Sequence, residues 1–163
     1  MDKYSKLRPP KQTPDSEICK CSDTPPIVLQ SSLSYNPISC ADCNLEVDVN
    51  SLDFNNMLIE KIADWRDFHF CFFKLWLDSG EFEIWAKEQL SNPESSVNKR
   101  ALIIREEIGI TRECFYWWFI DNLSAGYNSL VKCPNCSNDL IRRKNKFNTD
   151  TKICEDCNII VAD

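Results

Sequence analysis

From about residue 52 to residue 123, apolar residues recur every three or four positions with few turn residues between them, the period of helices that bury one face. Met57, Leu58, Ile62, Trp65, Phe68, Phe72, Trp76 and Leu77 follow that repeat and predict one long helix or two abutting ones. Gly80 ends it, because glycine takes the left-handed backbone after a helix without strain. A short helix over EFEIWAKEQL comes next, with Phe82, Trp85, Ala86 and Leu90 on one side. Ser91 and Glu94 bracket Asn92 and Pro93 at capping-box spacing, so a third helix is expected to run to about Ile108 and stop at Gly109. Thr111 then caps a predicted fourth helix, RECFYWWFIDNLS.

On either side the helical repeat is lost. Residues 1–18 are read as a flexible arm, interrupted by Pro9, Pro10 and Pro14. Residues 19–51 are loop-rich, with IVLQ and NLEVDV as short strand candidates, and residues 132–163 are similar. The expected fold is α+β and mainly α: a central domain of about four helices, residues 52–131, flanked by an N-terminal and a C-terminal ribbon.

The ribbons take their definition from cysteine. Eight of the ten cysteines fall in two sets of four, Cys19, Cys21, Cys40 and Cys43, then Cys133, Cys136, Cys154 and Cys157. CPNC and CEDC are separated by 17 residues, the spacing of a zinc ribbon. In the N-terminal set CKC precedes CADC by 18 residues, and its first turn is one residue shorter than usual. A tight turn supplies two of the four tetrahedral thiolates that zinc requires, and two turns complete the shell. Pairing within each module is favoured because closing a loop of about 20 residues costs less entropy than closing one of about 90. Two structural zinc ions are therefore expected, with no coordination position left for water or substrate. Cys71 and Cys114, in apolar stretches, are expected to be buried free thiols. The first residues lack an apolar signal core and no run of about 18 apolar residues occurs anywhere. A soluble cytoplasmic protein is expected, with no membrane partner, in a compartment where paired cysteines bind metal rather than form disulfides.

The formal net charge is −6, and two tetrathiolate zinc sites would bring it to about −10. Acidity concentrates in the helical stretch, where Asp64, Asp67, Asp78, Glu81, Glu83, Glu88, Glu106, Glu107 and Glu113 lie. Such a surface suits a basic protein partner, or is an ordinary solvated helix face. Five aromatics in succession, Phe115 to Phe119, cover every side of a helix, so some must meet another module or a partner. Asp78, Glu81, Glu83, Glu88, Trp117 and Trp118 are the candidate partner-binding residues. Against the acidic trend, Arg142, Arg143, Lys144 and Lys146 cluster at the predicted tip of the C-terminal hairpin and are candidate nucleic-acid contacts.

Catalytic signatures are missing. Three separated glycines cannot form a phosphate loop, neither HExxH nor GxSxG occurs, and the single histidine, His69, has no motif beside it that supplies a nucleophile. A non-enzymatic protein is expected.

The stretch FKLWLDSGEFEIWAKEQLSNPESSVNKRALIIREEIGIT, followed by CFYWWFIDNL, CPNC and CEDC, resembles a bacterial family of unknown function catalogued as zinc-ribbon-containing with a suggested link to nucleic acid. The likeness covers roughly residues 70–160. It rests on Trp76, Ser79 and Gly80, Trp85, Gln89 and Leu90, Ser95 or Ser96 with Asn98, and the last four cysteines. Two features depart from the pattern: Ser137 or Asn138 stands where glycine often follows the CPxC turn, and NIIVAD replaces a basic stretch after the last cysteine. Some proteins resembling this family are immunity partners of secreted nuclease toxins. The resemblance thus implies a cytoplasmic antitoxin that binds a cognate nuclease and covers its active-site or DNA-binding surface. The alternative it implies is a nucleic-acid-binding or transcription-accessory ribbon protein.

Overall fold

The computed structural model describes residues 13–21, 24–31, 35–122, 124–144 and 150–163; most of the expected N-terminal arm, and Lys146, lie outside them. Among the described residues three α-helices accompany one six-stranded mixed sheet. The expected four-helix domain with two separate flanking ribbons is therefore incorrect: both cysteine modules contribute strands to a single sheet.

Strands β1 (Ile27–Leu29) and β2 (Ile38–Cys40) form an antiparallel pair in the N-terminal module. In the C-terminal module β4 (Ile141–Lys144), β5 (Asp150–Cys154) and β6 (Ile159–Ala162) form an antiparallel meander. The join is β3 (Cys114–Trp117), which pairs in parallel with β1 on one side and β6 on the other. The sheet order is β2-β1-β3-β6-β5-β4. IVLQ supplies β1, whereas NLEVDV makes only isolated bridges through Glu46 to Ile18 and Ser39.

The stretch expected as a fourth helix is thus the central strand, and its composition gives the reason. A helix at a domain surface needs a polar face, but CFYWWFI has none, as suits a strand buried on both sides. Alternation then sorts the aromatics. Cys114, Tyr116 and Trp118 join the main core beneath the helices, while Phe115 packs with Val28, Ala41 and Ile160 in a second cluster flanked by Trp117.

The helices keep the periodic pattern. Helix α1 (Asn56–Asp78) is capped by Asn55, whose side chain accepts from the Leu58 amide at 2.9 Å. It ends before Gly80, which adopts φ +67°. Helix α2 (Glu83–Ser91) follows. Helix α3 (Ser96–Gly109) starts later than the capping-box reading places it: Ser91 closes α2 by donating to the Lys87 carbonyl, and Ser95 is the cap of α3.

Leu58, Ile62 and Trp65 of α1 and Ala101, Ile104 and Ile108 of α3 meet the sheet in the main core. Asn98, fully buried, ties the layers together. Its amide donates to the carbonyls of Leu90 and Asn92, and its oxygen accepts from the Tyr116 hydroxyl at 2.7 Å. Trp65 donates to the Val97 carbonyl at 3.1 Å and its ring meets Tyr116 edge-on. Among the described residues no helix is long and apolar enough to cross a membrane.

Candidate metal centres and the charged surface

Each four-cysteine set converges. The sulfurs of Cys19, Cys21, Cys40 and Cys43 all lie within 4.8 Å of one another, as do those of Cys133, Cys136, Cys154 and Cys157. Four thiolates at about 2.3 Å from one ion stand about 3.8 Å apart, so both groups fit a tetrahedral metal. The Cys136 and Cys154 sulfurs are 3.5 Å apart, far outside the S–S bond of about 2.05 Å. No disulfide joins any of the ten cysteines.

The local backbone explains the convergence. In the CADC turn the Cys40 amide donates to the Leu45 carbonyl and the Asn44 amide to the Cys40 carbonyl. The CPNC turn repeats both bonds, Cys133 to Asn138 and Ser137 to Cys133. In three of the four turns the residue after the second cysteine is left-handed: Asn44 at φ 57°, Ser137 at φ 64° and Asn158 at φ 49°. That kink folds the chain back so that both sulfurs point the same way. The shorter CKC turn is held differently. The Cys19 amide donates to the Glu46 carbonyl at 2.7 Å, pinning the pair beside the opposite turn.

Backbone and side-chain donors point at the sulfurs. The Cys21 amide reaches Cys19 Sγ and the Asp42 amide reaches Cys40 Sγ, both at 3.4 Å; Asn135 Nδ2 reaches Cys157 Sγ at 3.3 Å. Burial pushes the Cys40 and Cys43 thiols upward and Cys133 to about 12. Cys136, exposed, is lowered instead, first by the Asn138 backbone. Buried thiols of this kind keep their protons until a cation replaces them, so metal binding releases protons. With four sulfur ligands each site is closed, and its role is structural. Cys40, Cys43, Cys133 and Cys154 all belong to the main core, so both centres brace the same packed interior.

Of the remaining cysteines, Cys114 is buried, but Cys71 is exposed on α1 rather than in the core. His69 is buried at 4% exposure.

The basic cluster is dispersed. Arg142 pairs with Asp163 at 3.3 Å. Arg143 pairs with Asp42 of the CADC turn at 3.6 Å and lies 4.8 Å over the Phe115 ring. Arg143 is thus a clamp between the two cysteine modules, a role invisible until the sheet brings Asp42 beside it. Lys144 is exposed, without an ion pair among the described residues.

The acidic candidates gather where α1 turns into α2. Asp78 pairs with Lys74, Glu83 accepts from the Gly80 amide at 3.1 Å, and Glu81 and Glu88 are exposed. Four large apolar side chains missed as a surface feature stand among them: Leu77, Phe82 and Trp85 are about half exposed and Ile84 is 87% exposed. Trp117 is half-buried on β3. Trp118 leaves the partner-facing set, because at 1% exposure it is part of the core. Comparison with protein-family models, curated proteins and solved structures finds no match.

Proposed function

We propose that this chain is a non-enzymatic, zinc-stabilised binding protein that acts as a cytoplasmic immunity protein, docking on a cognate nuclease toxin and occluding its active-site or DNA-binding surface. The observation that carries the reading is the α1–α2 corner, where Leu77, Phe82, Ile84 and Trp85 are exposed within a rim of Asp78, Glu81, Glu83 and Glu88. Apolar anchors inside a polar, mainly acidic rim are the make-up of a specific interface. The acidic rim complements the basic groove with which a nuclease holds phosphates, and speeds the encounter.

The choice of zinc follows from ligand chemistry, since four thiolates in a tetrahedral set suit zinc and leave it no catalytic position. The resemblance to the zinc-ribbon family with immunity-type members points the same way. Direct binding of nucleic acid is less well supported, because Arg142 and Arg143 are engaged with Asp163 and Asp42. Co-expression with the product of the adjacent gene tests the proposal. Protection of the cells and co-purification of the two proteins are expected, both lost in an Ile84→Glu, Trp85→Glu double variant. Undiminished toxicity alongside well-folded wild-type protein would overturn it.

A further inference from the structure

Helix α1 has two apolar faces. One carries Leu58, Ile62, Trp65 and His69 into the protein. The other carries Ile59, Ala63, Phe70 and Leu77, in a row that also includes Arg66 and Phe73, the latter partly buried against the Leu90, Val97 and Phe119 cluster, at alternating spacings of four and three. That is the 3.5-residue repeat of a helix that lies along another helix, with knobs on a straight seam. At 1.5 Å per residue the seam is about 27 Å long. Ile59, Phe70 and Leu77 are 48%, 39% and 46% exposed, an unusual amount of ordered apolar surface for one side of one helix.

The first half of this seam forms one wall of a groove of about 1020 Å³ between α1 and the N-terminal cysteine module, whose apolar lining includes Ile38, Val49, Leu52 and Phe54. The charge around it is mainly acidic. Glu60, Asp64 and Asp67 follow the seam on the side turned away from the core, one helical step from Ile59, Ala63 and Arg66. Glu17 and Asp48 line the opposite wall, beside Glu46, which accepts from the Thr13 hydroxyl at 2.6 Å. Among the described residues Arg66 is the one basic residue lining the groove, and it is occupied: it donates to the Tyr35 carbonyl at 3.1 Å, sits 3.9 Å over the Tyr35 ring and pairs with Asp67.

The geometry points to a single occupant, an amphipathic helix of a partner protein with apolar residues at heptad spacing and lysine or arginine on its flanks. A second copy of this chain fits less well, since two such faces would set their acidic flanks side by side. The inference rests on the reading of a basic protein partner above and specifies the element that the partner presents.

The probe is a fluorescein-labelled 21-residue helix-forming peptide with leucine at the heptad positions and lysine on both flanks. Its control carries glutamate in place of lysine. Anisotropy titration with the zinc-loaded full chain is expected to show saturable one-to-one binding of the lysine peptide alone. Binding should weaken about tenfold or more in Phe70→Glu and in Ile59→Glu, and with added salt. Both side chains are exposed, so circular dichroism should match the wild type; the second variant stands in if the first does not fold. Absence of binding by both peptides, equal binding by both, or indifference to the two substitutions overturns the assignment. A chain that sediments as a dimer and becomes a monomer in Phe70→Glu overturns it as well, in favour of self-association. Protection against a toxin with no peptide binding removes the groove assignment and leaves the immunity reading; peptide binding without protection does the reverse.

Discussion

Single residues show how closely the metal turns are specified. Ser137 sits at φ 64°, where a residue with a Cβ is strained by about 1–2 kcal/mol and glycine is not. Part of that advantage is offset by the larger entropy glycine loses on folding. Ser137→Gly should therefore stabilise the metal-loaded protein by about 1 kcal/mol in urea unfolding; no gain, or a loss, would argue against the left-handed turn. His69 offers a second check. Burial lowers its pKa to about 4, and its Nδ1 has no hydrogen-bond partner among the described residues, so the folded protein holds the neutral ring. The unfolded chain takes up a proton near pH 6.5 and the native state does not, so stability present above pH 6.5 is lost as pH falls toward 4. Between pH 7.5 and pH 5 the wild type should lose about 2 kcal/mol more than His69→Phe. Parallel pH profiles for the two proteins would contradict it, and acid loss of metal, common to both, does not enter the difference. At this scale the sequence is informative about the eight ligands, because cysteine spacing reports a turn directly. It is silent about Asn98, whose role as a buried hub depends on Tyr116 arriving from another element.

Among elements, the three helices are legible because apolar period and caps agree, although the start of α3 moves from the Ser91–Glu94 box to Ser95. The misread element is β3. Its ten-residue neighbourhood, CFYWWFIDNL, contains no polar alternation to separate a period of two from a period of 3.6. Both faces of the strand are covered, by the main core on one side and by the Phe115 cluster on the other, so nothing along the chain marks an outside. The centrality of β3 makes a prediction for hydrogen exchange. The amides of Cys114–Trp117 and Ile159–Ala162 should be among the slowest to exchange, as slow as the most protected residues of α3, whereas those of the edge strand β4 should exchange faster. Rapid exchange through residues 114–117 would restore the separate-ribbon picture.

The whole molecule differs most from what the chain suggests on its own. Strands paired in parallel and far apart in sequence, such as Ile27 beside Cys114, leave no local signature, and neither does the Arg143–Asp42 contact that spans the modules. The two metal centres are consequently two braces on one sheet and one core, not clasps on independent appendages. The acidic helical face depends on the same arrangement, since it is presented by helices that cannot be placed without the sheet beneath them. The most direct test is a chelator titration that follows metal release together with the near-ultraviolet circular dichroism of the aromatic core, to which Trp65, Tyr116 and Trp118 contribute. About two metal ions per chain should be released, and the aromatic signal should be lost along with them. Full release of metal with the aromatic signal intact would contradict the two braces on one core.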